Sequence, residues 1–163
     1  MELSFLNNKL LDDEFIVISK KLLIQIEAEN SKSDLNKISF AKLAQLMHTL
    51  NDYRPKSHIR KEKQHFIKYL YSFTTNPISR YSDKELMELK VKYIFNTTGN
   101  KLRSKGYTTK GGWIGGLIFI LPIDILFWFF VGKYYYYIPI VSIPFMIIQL
   151  RKEIKAKAEN KLW

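Results

Sequence analysis

Two regimes of hydrophobic patterning divide the 163-residue chain. Over residues 1–112 apolar positions recur between polar ones; from Trp113 they run almost unbroken. Leu11, Phe15, Ile18, Leu22 and Ile26 return every three or four residues, which predicts a helix over Leu10 to Ile26. The alternation in Leu23-Ile24-Gln25-Ile26-Glu27-Ala28 leaves a strand open there. Asn30 to Asp34 reads as a polar loop. A second helix is expected to start near Ser39, a favourable N-cap, and to carry Phe40, Leu43, Ala44, Met47 and Leu50 on one face. After a turn over Asn51 to Lys56, a third runs from about Ser57 to Phe73 and buries Ile59, Phe66, Ile67, Leu70 and Phe73. Asn76-Pro77 marks a loop. Ser82-Asp83-Lys84-Glu85 is a capping box opening a fourth helix through Leu86, Leu89, Tyr93 and Ile94. Asn96 to Gly112, rich in Thr, Gly, Asn and Lys, is either a linker or a frayed continuation.

Trp113 to Val131 contains a single charge, Asp124, and would span roughly 28 Å as a helix, enough for a bilayer core. Gly132-Lys133 breaks the run, and Tyr134 to Leu150 forms a second uncharged stretch. The expected fold is therefore all-α: a small cytoplasmic helical domain (1–96), a basic connector (97–112), a transmembrane helical hairpin (113–150) and a basic cytoplasmic tail (151–163). Lys101, Arg103, Lys105 and Lys110 precede the first span; Arg151, Lys152, Lys155, Lys157 and Lys161 follow the second. The turn offers only Lys133, so both termini should be cytoplasmic. Trp113 would mark the inner interface, and Trp128 with Tyr134-Tyr135-Tyr136-Tyr137 the outer one. Met1-Glu2-Leu3-Ser4-Phe5 lacks the features of a signal peptide, so insertion should rest on the C-terminal segments.

Three features suggest more than anchoring. Gly111/Gly115 and Gly112/Gly116 are overlapping small-xxx-small pairs, suited to close helix packing or to a hinge. Asp124 is an intramembrane carboxylate, which needs a partner, a bundle interior or water; in a symmetric oligomer it would form an acidic ring in a cation pore. Pro139 and Pro144 would interrupt the second span and allow kinks.

Charge then adds a ligand question. With 26 Lys+Arg against 15 Asp+Glu the net charge is +11, which suits basic membrane flanks or an anionic ligand. The stretch from Tyr53 to Tyr71 interleaves bases with aromatic rings, so Arg54, Lys56, Arg60, Lys61, His65 and Lys68 are the candidate ligand-binding residues; a solvated helix face is the alternative. Arg60 and His65 also have the Arg-x4-His form of HEPN-domain ribonucleases, and Phe40 to Leu46 before the basic helix resembles part of a helix-turn-helix. There is no cysteine, and His48, His58 and His65 show no metal spacing with carboxylates, so no metal or cofactor is expected. No phosphate loop, nucleophile elbow or carboxylate pair points to catalysis. The modest polar front has room for only a small core, which makes oligomerisation a natural source of buried surface.

A basic helical front joined to an apolar hairpin with a mid-span acid resembles the small two-helix membrane effectors of bacterial anti-phage defence, closest in layout to the channel-like effector of the Hailong system. The resemblance implies a homo-oligomeric, non-enzymatic, pore-forming protein of the bacterial inner membrane. It implies regulation by a nucleotide or single-stranded oligonucleotide made by a partner enzyme. A passive membrane anchor or assembly subunit is the alternative, and a membrane-tethered HEPN-like ribonuclease the third.

Overall fold

The computed structural model describes residues 9–95, 97–131 and 139–163. Among them the protein is all-α, with one isolated bridge between Thr108 and Leu162. The chain divides into two compact units, Met1–Lys101 and Leu102–Trp163.

The first unit opens with α1, Lys9–Glu29. It stays helical through the alternating stretch, because Leu22, Leu23 and Ile26 share the buried face with Leu11 and Phe15 while Ile24 points out. A short helix, α2 (Lys32–Lys37), replaces the expected polar loop. It buries no side chain, so hydrophobic periodicity could not reveal it; Ser31 caps it by accepting the Asp34 N–H at 3.2 Å. Helix α3 (Phe40–Asp52) buries Leu43, Leu46, Met47 and Leu50. Its predicted cap is corrected: Ser39 sits at φ 59° and its side chain makes no cap bond. The carbonyl of Ser39 accepts the Lys42 N–H at 2.9 Å instead.

A 3-10 turn over Lys56–Ile59 leads into α4, Arg60–Thr75, which buries Phe66, Ile67, Tyr69, Leu70 and Phe73. Helix α1 packs against α4 and α3, so the core of this unit lies among those three. Helix α5 (Asp83–Lys90) begins with the expected capping box, Ser82 N–H donating to Glu85 Oε2 at 2.8 Å and Glu85 N–H to Ser82 Oγ at 3.3 Å. The chain continues as wider π-helical turns, Val91–Phe95 and Thr97–Lys101, the first packed on α4. Asn96 lies outside the described residues.

The second unit pairs α6 (Gly112–Val131) with α7 (Ser142–Ala158). Trp113–Phe130 is long and apolar enough to cross a membrane, and is nearly all exposed: Phe119 is 79 % and Phe130 85 % accessible. The expected second span differs. Gly132-Lys133 and Tyr134–Tyr137 lie outside the described residues. Helix α7 starts at Ser142 and runs through the charged tail, so only Ser142 to Leu150 of it is uncharged. That apolar part is about 13 Å long, roughly half a bilayer core. The prolines do not kink it: Pro139 precedes the helix, and Pro144 falls in its first turn, where no intrahelical donor is needed.

The small-residue pairs resolve unequally. A Cβ at Gly116 would lie 2.7 Å from Phe145 Cζ, so this glycine lets α7 approach. Gly115 faces open space. Gly112 opens α6, and Gly111, at φ 69°, donates its N–H to Glu153 Oε1 at 2.8 Å. Gly116→Ala is expected to cost about 1–3 kcal/mol by overpacking, and Gly115→Ala under about 0.5 kcal/mol. Denaturant unfolding of the full chain in detergent measures both.

Candidate functional site

Helix α4 starts at Arg60 because Pro55 and the 3-10 turn set the approach and Ile59 is fully buried beneath it. That start aims Arg60 and Lys63 at α1 rather than at solvent. Arg60 Nε donates to Asp12 Oδ2 at 2.7 Å, and Lys63 Nζ to Asp12 Oδ1 at 3.3 Å. Lys63 is wholly buried and its ammonium also lies 5.2 Å from the Phe15 ring centroid, a cation–π contact. Burial works to raise the Asp12 carboxyl, but the hydrogen bonds and charges of Arg60 and Lys63 outweigh it and hold the group below its usual range. Burial pushes Lys63 down against the pull of Asp12. Lys56 pairs with the exposed Asp13 at 3.5 Å.

Two of the six candidate ligand residues, Arg60 and Lys56, are thus engaged by carboxylates of α1. Arg54 donates to the carbonyls of Asn51 and Tyr53 at 2.8 and 3.1 Å. Lys61, His65 and Lys68 lie on the other side of α4, at i, i+4 and i+7. Lys61 and Lys68 are exposed, and His65 meets the ring of Tyr93 edge-on at 5.9 Å. Lys92 sits 5.1 Å from the centroid of that tyrosine. Burial, then Lys61, lowers the His65 pKa, with a smaller push from Lys68 and an opposing one from Glu62, which favours the uncharged ring. The assembled patch is cationic with two rings set edge to face, and Tyr93 and Lys92 enter it from the π-helical turn.

The Arg-x4-His pair diverges. Arg60 turns to Asp12 and His65 to Tyr93, as five helical steps of about 100° require. The buried acid and base were not legible as partners in the sequence, where Asp12 and Lys63 stand 51 positions apart. Among the described residues no group of three or more His, Asp or Glu is arranged to hold a metal. Three buried polar atoms of this unit, Ser19 Oγ, Glu62 Oε2 and the Tyr69 hydroxyl, have no hydrogen-bond partner among the described residues; burial also raises the Tyr69 pKa.

In the second unit, Asp124 is buried, and its neighbours differ from those of an open pore-lining acid. Its Oδ1 accepts the Val141 N–H at 3.0 Å and its Oδ2 the Ser142 N–H at 2.9 Å, with the Ser142 hydroxyl donating to Oδ2 as well. The carboxylate caps α7. It satisfies donors that a helix start leaves unpaired and sits at the positive end of the helix dipole. The chain matches no protein-family model, no curated protein and no solved structure.

Proposed function

We propose that this chain is an oligomeric membrane effector. The second unit enters the bilayer as a helical hairpin with both flanks cytoplasmic, and several copies surround an ion-conducting path. An anionic nucleotide or oligonucleotide, bound to Lys61, His65, Lys68 and their neighbours on the first unit, sets its state. The link to anti-phage defence, and to a nucleotide-synthesising partner enzyme, rests on the resemblance in layout alone.

The observation that carries the membrane reading is α6, apolar but for the buried Asp124 and with most of its large side chains exposed. Water would not tolerate such a surface on a lone chain; lipid and sister helices would. The assembly reading draws on Asp124. Because it caps α7, that helix begins level with the middle of α6, about 10 Å short of its Val131 end. A helix start at membrane depth is tolerated where it is covered by protein or faces a water-filled cavity, and a ring of copies supplies both. A ligand gates such a path only by binding its closed and open states unequally.

Oligomeric state in detergent, followed by bilayer recordings of the purified chain, tests this. A symmetric oligomer with a step-like current is the expected result. A strict monomer with no effect on membrane potential would leave the anchor. RNA cleavage abolished by His65→Ala, with the membrane intact, would replace it with the nuclease.

A further inference from the structure

The flanking bases of the second unit do more than sit on one side of a hairpin. The turn Arg103–Lys105 ends at Gly106, whose φ of 85° reverses the chain, and Tyr107 is buried beneath it. The following segment is clipped to the chain just past α7: Thr108 N–H donates to the Lys161 carbonyl at 3.3 Å, Trp163 N–H to the Thr108 carbonyl at 2.9 Å, and Lys110 N–H to the Trp163 carbonyl at 2.6 Å. Between this turn and the charged half of α7 lies a cavity of about 460 Å³. Five bases line it, Arg103, Lys105, Lys152, Lys155 and Lys161, against one acid, Glu159. Glu159 is taken by Lys161 at 2.6 Å and approached by Lys155 at 4.0 Å. Among the described residues no carboxylate pairs with Arg103, Lys105 or Lys152. Ser104, Thr108 and Gln149 add uncharged hydrogen-bonding groups to the wall.

Like charges converging on one concavity repel each other unless an anion joins them, and the volume is that of a small-ligand site. We propose that this cavity is a binding site for a ligand carrying two phosphate groups, with Arg103 and Lys152 as its principal cations. Arg103 offers a planar fork for phosphate oxygens, and Lys152 a point charge from the opposite wall. The site is separate from the Lys61–His65–Lys68 patch and lies wholly within the second unit. Two sources share this chemistry. One is the double-phosphate headgroup of cardiolipin, whose access rests on the membrane reading above, since Gln149 and Gly112 then stand at headgroup level. The other is a soluble diphosphate, which needs no membrane.

The test uses the full chain purified in detergent. Inorganic pyrophosphate is titrated calorimetrically, and cardiolipin is compared with phosphatidylcholine by native mass spectrometry. Wild type should bind at least one of the two phosphate probes, and Arg103→Gln/Lys152→Gln should weaken that binding about tenfold or more. The charge-keeping Lys152→Arg should retain most of it, and Lys61→Gln/Lys68→Gln on the first unit should leave it unchanged. Circular dichroism checks that each variant is folded. Cardiolipin binding alone assigns the lipid source, and pyrophosphate binding alone the soluble one. Binding of neither probe, equal binding by the double variant, or equal loss in the first-unit control overturns the site. Carbonate extraction from membranes tests bilayer insertion independently, so failure of that reading is told apart from failure of the site.

Discussion

Asp12→Ala is expected to destabilise the first unit by about 3–5 kcal/mol, the range for breaking a buried ion pair from one side. The reason is Lys63. Wholly buried, it keeps among the described residues only the Phe15 ring once Asp12 is gone, whereas Arg60, about one-third exposed, can turn to water. Asp12→Asn should cost nearly as much, because an amide leaves the charge uncompensated. The double change Asp12→Leu/Lys63→Met should recover most of the loss, since apolar groups of similar size need no pairing. Urea unfolding of the full chain, followed by circular dichroism, gives all three values.

The pH dependence has a definite sign. The folded Asp12 pKa lies below its unfolded value, so its contribution is complete above about pH 4 and fades as pH falls toward the folded value. Lys63 acts at the other end. Its folded pKa is also lowered, so stability rises as pH climbs from that value toward about 10.5. The Asp12→Ala deficit should therefore shrink in alkaline buffer, where Lys63 can be neutral.

The second large effect is expected at Asp124. Asp124→Ala removes the acceptors of two backbone N–H groups and a hydroxyl, at a cost of about 2–4 kcal/mol to the α6–α7 pair. Asp124→Asn keeps one carbonyl acceptor and most of the shape, and should cost about half as much. The pair separates two roles. If Asp124→Asn changes current or ion preference with the oligomer intact, the negative charge acts on the permeating ion. If only Asp124→Ala disturbs the protein, and does so by dissociating or unfolding it, the carboxylate serves as a helix cap alone. Size-exclusion chromatography in detergent, run beside the bilayer recordings, makes the distinction.

Much of the front was legible because its helices carry their own signals. The apolar faces of α1, α3 and α4 and the Ser82 capping box are local patterns, and each appears where its residues place it. Helix α2 was hidden because it buries no side chain and rests on a cap and an i,i+3 ion pair. Asp12 was hidden for the opposite reason: a buried charge looks like any surface charge until a distant helix brings its partners. The start of α7 was misplaced because hydropathy reports which residues avoid water, and Tyr134 to Leu150 is uncharged throughout. Hydropathy cannot report where a helix is capped. The contact from Asp124 marks Ser142 as that point.

That contact also gives α7 two fixed ends. Its first turn is held at Asp124, and its last turns carry Lys155 and Glu159 into the wall of the cationic cavity, about 25 Å away along an uninterrupted helix. A helix without an interior proline or glycine behaves as a rod. A molecule in the cavity that prefers one axial placement of the rod therefore does work on the Asp124 end, and water or an ion at Asp124 does the same work on the cavity. By linkage the two influences are equal in free energy, so occupancy of either end would be readable at the other.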